Sequence, residues 1–269
     1  MSAEQTLSEI LTEQMGTVSN GIRTALTEHA AARPCVSELS EDTKKHIVKR
    51  IGPKSRAKYL NPEGAISLLS VEVVDLATRI SRYQYIERYR EHFKSPDPEM
   101  GIAFIMHMHI LRGSEIYVIM ERCKSFLEFF RDLAVDLDLN PNKKIGNDLE
   151  KRFKKEFARH LRERHRIVHA HERPSVISRM AAIAPEPPGA SRDLMERTFL
   201  DTFKTMLGAL SELVPDLVEA GSPDQIITKI NDHRLKAVDR ECFEMWAILL
   251  DSINHLIDGS KLLKQSGQT

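Results

Sequence analysis

Apolar residues recur every three or four positions along most of this chain, and no stretch shows sustained alternation of apolar and polar residues. The first spacing places apolar side chains along one side of an α-helix, whereas alternation is typical of a β-strand. A clear series follows Asn61-Pro62 and consists of Ile66, Leu69, Val73, Leu76, Ile80, Tyr83 and Ile86. We therefore predict an all-α fold.

Several sites carry the residues that favour the start of a helix. A capping side chain followed by proline occurs at Asn61-Pro62, at Asp97-Pro98 and at Ser222-Pro223. This order is favourable because the cap accepts a backbone N–H and proline suits the first helical position. Asn147, with Glu150 three residues later, is a further predicted cap.

Together with prolines and glycines that end helices, these signals predict helices at residues 3–31, 41–51, 62–94, 98–139, 147–171, 192–219 and 225–264. The first half of the helix at 98–139 is apolar on most sides, so we expect neighbours all round it. The last helix has a candidate break at 231–233. We predict an up-and-down bundle of long antiparallel helices over residues 59–269, with a proline-rich loop at 184–189 and a preceding helical extension at 1–58.

Bulk composition restricts the function classes. Lys and Arg together number 39, as do Asp and Glu, so no net charge attracts the whole molecule to nucleic acid or lipid. The three cysteines lie far apart, which argues against a disulfide framework and against a cysteine-based zinc site. We recognise neither a signal peptide nor an apolar segment long enough to cross a bilayer. We expect a cytoplasmic protein that does not associate with a membrane.

The segment from Arg162 to Arg173 carries most of the functional information. It contains four arginines, three histidines and two glutamates. Arginine holds phosphate or carboxylate with a planar fork of donors, and histidine exchanges a proton near neutral pH. Over residues 143–173, eleven basic residues exceed five acidic ones, which leaves a local charge of +6 on a neutral chain. Such a basic stripe is typical of a protein that binds a phosphate backbone.

Arg164 and His169 lie five residues apart, which on a continuous helix corresponds to a rotation of about 140°. The two side chains can converge only if the helix bends or ends near Pro174, or if a second copy of the chain supplies its own pair. The second arrangement would build a composite site at a two-fold axis.

The run Arg164-His165-Arg166-Ile167-Val168-His169 resembles the Arg-polar-x-x-x-His signature of HEPN domains, the higher eukaryotes and prokaryotes nucleotide-binding family. The layout around it is similar too, with two long helices followed by a basic helix that ends in the signature. The resemblance implies an all-α bundle and, as in the catalytic members, a metal-independent endoribonuclease site across a homodimer. His165 departs from the Asn or Asp that is usual at its position.

By the same resemblance, Arg164 and His169 are the active pair and His165 takes the polar position. A neutral His169 would accept the proton of the RNA 2′-hydroxyl, or its copy in the partner chain would protonate the leaving 5′-oxygen. Arg164 would stabilise the charge that develops on the phosphate. The products would carry a 2′,3′-cyclic phosphate and a 5′-hydroxyl, and no metal or cofactor is expected. The residues expected to bind the RNA are Arg159, Arg162, Arg166, Arg173 and Lys155.

Other functions stay open at this point. In a non-catalytic helical scaffold or protein-interaction module, the arginines would form salt bridges between helices, between subunits or with a partner protein. A third alternative is regulation by a bound nucleotide or another small anion. A metal site at His160, His169 and His171 is disfavoured because the nearby arginines repel a cation. The resemblance also implies a toxin or defence setting.

Overall fold

The structure, a computed structural model, describes residues 7–32, 38–51, 57–92, 98–169 and 223–256. Within these ranges every regular element is helical and no strand occurs, which confirms the predicted all-α class. In chain order the α-helices are α1 (Leu7–Ala31), α2 (Glu41–Arg50), α3 (Pro62–Tyr83), α4 (Tyr85–His92), α5 (Pro98–Asp136), α6 (Ile145–Glu156), α7 (Ala158–His169) and α8 (Pro223–Leu256).

Helices α3, α5 and α8 begin where the cap-proline pairs predict them, at Pro62, Pro98 and Pro223. Asn61 makes the expected contact, since its Oδ1 accepts the backbone N–H of Gly64 at 2.8 Å. That hydrogen bond satisfies a backbone donor that has no partner within the first turn of α3. The prediction of these three helix starts is therefore confirmed.

Two segments that were each predicted as one helix are divided. The segment 62–94 becomes α3 and α4, which separate at Gln84. The segment 147–171 becomes α6 and α7, which separate at Phe157. Because the side chains of Gln84 and Phe157 are both buried, each stays on the inner side of its segment, and the apolar spacing of the sequence gives no sign of the break.

The predicted cap at Asn147 is wrong, because this residue lies inside α6. The helix begins at Ile145, after a turn in which Asn142 Oδ1 accepts the backbone N–H of Lys144 at 2.9 Å. An asparagine side chain that bonds to the backbone two residues later initiates a turn, so Asn142 starts the chain reversal before Asn147 is reached.

The last described helix, α8, runs without interruption through residues 231–233, so the candidate break at these positions is wrong. The predicted proline-rich loop at 184–189 and the helix predicted at 192–219 lie outside the described residues.

The described residues form two compact units. Unit 1 comprises those up to Ser81, the stretch Val118–Glu156 and those from Phe243 onwards. Unit 2 comprises Arg82–Tyr117 and the described residues between Phe157 and Cys242. Helices α1 and α2, which belong to the predicted N-terminal extension, are part of unit 1.

The core of unit 1 is aromatic at its centre. Its largest buried side chains come from the second half of α5 and from α6 and α8, and they are Phe126, Phe129, Phe130, Phe153 and Trp246. Helix α1 buries Leu11, Ile22 and Leu26 in the same unit. Gln14 on α1 also accepts the indole N–H of Trp246 at 2.8 Å, so α1 is held by both apolar and polar contacts.

The second half of α5 contributes many fully buried side chains, whereas the described side chains of its first half include exposed ones. Met100, Ala103 and His107 are exposed, so the expectation that neighbours surround the first half is wrong at these positions. Apolar content overstates burial here because apolar atoms also make up much of a folded protein's surface. None of the helices in the described ranges is both long enough and apolar enough to cross a bilayer.

A polar cluster fixes the short helix α2 within unit 1. Arg50 Nε donates to Glu72 at 2.6 Å, and Arg50 Nη2 donates to the carbonyl of Ser125 at 2.9 Å. The guanidinium of Arg50 also lies 4.8 Å from the ring centre of Phe129. A helix of ten residues is marginal by itself, so these contacts with α3 and α5 contribute to its stability.

Candidate nucleic-acid interface

Helix α7 concentrates positive charge on its exposed side. Its four arginines and single glutamate give a formal charge of +3 before the histidines are counted. Arg159, Arg162 and Arg166 are exposed, and their spacing of three and four residues places them along one side of the helix. His165 is exposed as well. These four side chains form what we call the basic face of α7.

The opposite side of α7 packs closely against α5 within unit 2. A Cβ atom added to Gly113 of α5 would lie 3.1 Å from the carbonyl oxygen of His160 and 3.3 Å from Arg164 Cβ. These distances are shorter than ordinary van der Waals contacts, so the two backbones approach this closely because position 113 has no side chain. The contact sets which side of α7 remains exposed.

Arg164 lies on the packed side of α7 and is half-buried. Its guanidinium carbon is 3.9 Å from the ring centre of Tyr117, in a cation–π contact. Among the described residues, no hydrogen-bond partner is present for the buried Nε atom of Arg164. Stacking engages the flat face of a guanidinium, whereas phosphate oxygens bind at its edge, so a stacked arginine can still hold a phosphate.

The other predicted site residues are distributed as follows. His169 is the last residue of α7, and the helix is uninterrupted from Arg164 to His169. The rotation of about 140° between these two positions is therefore retained, and no bend between them brings them together. Lys155 is exposed but belongs to α6 and to unit 1, while Arg173 lies outside the described residues.

His160, which was weighed as a metal ligand, has another partner. Its Nε2 lies 3.0 Å from Glu241 Oε1 on α8, a carboxylate oxygen that accepts the ring proton. Within the described ranges, no group of three or more histidine, cysteine, aspartate or glutamate side chains is arranged to hold a metal ion.

Glu241 is the centre of a buried ionic network that sequence reasoning did not identify. The network consists of Tyr83, Glu87, Arg112, His160, Arg234 and Glu241, all in unit 2. Arg112 Nη2 donates to Glu241 Oε1 at 2.6 Å, and Arg112 Nε lies 3.1 Å from Oε2. The hydroxyl of Tyr83 donates to the same Oε2 at 2.6 Å. With His160, these donors surround both oxygens of the Glu241 carboxylate.

Glu87 completes the network from α4. Its Oε1 accepts from Arg112 Nη1 at 3.2 Å, and its Oε2 accepts from Arg234 Nε at 3.1 Å. Two arginines therefore balance two glutamates in the interior, which is the condition under which buried charges are tolerated. Through these bonds the network ties together α3, α4, α5, α7 and α8.

One signal in the sequence could have revealed the network. Glu241 lies among Val238, Cys242 and Met245, at the spacing of a buried helix side, and Arg112 lies within the most apolar stretch of α5. A charge at a core position requires a partner of opposite sign. Pairing these two residues needs tertiary information, because they are distant in sequence.

The network determines how Glu241 titrates. Burial alone would raise its pKa, but the hydrogen bond from His160 and the charge of Arg112 outweigh burial and lower the pKa from 4.5 to about 2. A carboxyl group whose pKa is lowered on folding stabilises the fold above its unfolded pKa and loses this effect as the pH falls towards the folded value.

We therefore expect Glu241→Gln to destabilise the protein at neutral pH by about 3 kcal/mol relative to the wild type. The difference should shrink as the pH is lowered from 4.5 towards about 2, since the wild-type carboxylate is then protonated as well. Urea unfolding of both proteins across this pH range measures it. Glu121→Gln, at an exposed glutamate of α5, is the control, and a gap that stays constant with pH would contradict the assignment.

Comparison with known protein families, with curated protein sequences and with solved structures gives no significant match to this chain. Function is therefore inferred from its own residues and from their geometry.

Proposed function

We propose that this protein is a HEPN-like RNA-binding protein that cleaves RNA without a metal and acts as a homodimer. The observation that supports the proposal most directly is the basic face of α7, where Arg159, Arg162 and Arg166 are exposed along one side of a helix. A reducing cytoplasmic setting and a role as a toxin or in defence are parts of the same proposal.

The basic face has the chemistry that a phosphate backbone requires. Each arginine presents a planar fork of donors that fits phosphate oxygens, and its charge persists at any physiological pH. Because the chain as a whole is neutral, the attraction for RNA is local and depends on this helix. Arg162 Nε donates to the carbonyl of Ala158 at 3.2 Å, which holds its side chain along the helix surface.

Catalysis in this proposal requires two copies of the chain. Arg164 and His169 occupy different sides of one continuous helix, so a partner subunit supplies the group that completes each site. His169 accepts the proton of the 2′-hydroxyl or protonates the leaving 5′-oxygen, and His165 serves as the polar residue beside them. Arg164, held by Tyr117, stabilises the charge on the reacting phosphate.

We expect the double variant Arg162→Ala/Arg166→Ala to bind RNA at least about tenfold more weakly at low salt. The loss should be uniform across RNA sequences, because phosphate contacts carry no sequence information. The slope of log affinity against log salt should fall by about one to two, since two phosphate contacts are removed. Fluorescence anisotropy with labelled RNA over a salt series measures both quantities.

The matched control is Arg23→Ala/Arg122→Ala, which removes two exposed arginines of unit 1 and the same amount of charge. If the two double variants lose affinity equally, binding depends on total charge and the basic face is not the interface. If wild-type protein binds no RNA at low salt, the proposed function is wrong.

A second candidate is a non-catalytic helical scaffold, and the buried ionic network favours it. His160 and Arg164 on α7 both contact neighbouring helices, as residues of a packing helix do. The two functions are separated by incubating the purified protein with mixed single-stranded and structured RNA in EDTA. Cleavage that persists in EDTA supports the ribonuclease, whereas the absence of both cleavage and binding supports the scaffold.

A further inference from the structure

Two tyrosines project from α4 into solvent. Tyr85 and Tyr89 are 38% and 62% exposed, and they are one helical turn apart. Their ring centroids lie 6.1 Å from each other, with the ring planes tilted by 39°. Single exposed apolar residues are common on protein surfaces, but here two exposed aromatic rings are neighbours on a helix of eight residues.

Two exposed arginines accompany these rings in the described part of the chain. Among positions 82–89, the exposed side chains are Arg82, Tyr85, Arg88 and Tyr89. Glu87, the acidic residue of this stretch, points into unit 2, where it binds Arg112 and Arg234. Within positions 82–89, the buried ionic network therefore takes up the one acidic side chain.

Arg88 lies near an acidic side chain, with its Nη2 3.8 Å from Asp239 Oδ1. Both side chains of this pair are well exposed, so the pair contributes little stability and does not hold Arg88 against a competing phosphate. Arg82 at the end of α3 and Tyr85, Arg88 and Tyr89 of α4 thus form an exposed surface of aromatic rings and positive charge, which we call the Tyr/Arg face.

We infer that the Tyr/Arg face binds unpaired bases of single-stranded RNA, with Tyr85 and Tyr89 stacking on bases and Arg82 and Arg88 contacting phosphates. The inference rests on the proposed function and names its substrate class. Proteins that bind single strands combine a positively charged surface with aromatic rings on which successive bases stack. Each ring contributes stacking energy whatever the base, so the surface is tolerant of sequence.

The same chemistry excludes duplex RNA as the preferred ligand of this face. In a duplex each base is already stacked on its neighbours and paired across the helix, so its faces are not available to a tyrosine. A duplex presents phosphates, 2′-hydroxyls and base edges but no base faces, and its phosphates suit the basic face of α7 as those of a single strand do. Loss of the tyrosines is therefore expected to weaken binding of single-stranded RNA, whereas loss of the arginines of α7 is expected to weaken binding of both forms.

The test measures the affinity of the full-length protein for a labelled single-stranded oligouridine and for a duplex RNA of equal length. The double variant Tyr85→Ala/Tyr89→Ala is expected to bind the single strand at least about tenfold more weakly and the duplex within about twofold of the wild type. Tyr85→Phe/Tyr89→Phe keeps both rings and is expected to bind the single strand as the wild type does. Circular dichroism verifies that all variants are folded.

Equal losses on single strand and duplex, or no loss on the single strand, would overturn the inference. If wild-type affinity depends on Arg162 and Arg166 but not on the tyrosines, the proposed function survives and the Tyr/Arg face is excluded. If wild-type protein binds neither RNA, the proposed function and the inference about the Tyr/Arg face are both wrong. Tyrosine variants that bind RNA normally but change the oligomeric state on a sizing column would assign this face to a protein contact instead.

Discussion

Arg112→Ala is expected to lower the free energy of unfolding by about 3–5 kcal/mol. Arg112 is 8% exposed and bonds to Tyr83, Glu87 and Glu241. Its removal leaves Glu241 buried without its main counter-charge, and Glu87 loses one of its two arginines. An uncompensated buried charge costs more than the net stability of the intact pair, so the loss should be large. Burial alone would lower the pKa of Arg112, but Tyr83 and the two glutamates raise it above its usual value, which is consistent with a permanently charged group.

The same helix provides a matched control. Arg122 of α5 donates to Asp75 at 2.7 Å, but both side chains of this pair are about half exposed. We expect Arg122→Ala to cost less than about 1 kcal/mol, because water screens an exposed pair. Urea unfolding at neutral pH compares the two variants with the wild type. Similar costs for both would mean that the interior network is not a determinant of stability.

His169→Ala is expected to slow RNA cleavage by about 10²–10⁴-fold and to leave RNA affinity within about twofold, because proton transfer is lost and phosphate contacts are not. Cleavage is followed in EDTA by gel electrophoresis under single-turnover conditions, and affinity is followed by anisotropy. His255→Ala, at an exposed histidine of α8, is the control and should cleave at the wild-type rate. A His169→Ala protein that cleaves normally would remove His169 from the proposed site.

Mixing two inactive variants tests whether the site is composite. If Arg164 of one subunit works with His169 of the other, a heterodimer of Arg164→Ala and His169→Ala subunits contains one intact site. Random mixing should then restore about a quarter of the wild-type rate. If each site were built within one chain, every site would lack a residue and mixing would restore nothing.

The sequence allowed prediction of those features that depend on neighbouring residues. Pro62, Pro98 and Pro223 lie at helix starts because capping and proline geometry act within one turn. The exposed arginines of α7 were also predictable, since a basic stripe repeating every three or four residues is visible in the sequence. Whether these arginines bind RNA stays a prediction.

The features that escaped prediction depend on contacts between distant residues. The breaks at Gln84 and Phe157 leave the apolar spacing intact, because both side chains are buried on the inner side of the chain. The partners of Arg112 lie 25 to 129 residues away in the sequence, so no local pattern identifies them. The exposure of Met100 and His107 likewise depends on which helices reach the first half of α5.

Stacking on Tyr117 restricts the conformations of Arg164 before any ligand is present. A mobile arginine carries about 2 kcal/mol of rotamer entropy, much of which is lost when its guanidinium is immobilised on a phosphate. For Arg164 most of that loss occurs during folding, when the ring and the close approach at Gly113 fix the side chain. An anion that reaches this guanidinium meets a preorganised group, and its binding free energy is reduced less by ordering than at an arginine that must be immobilised on binding.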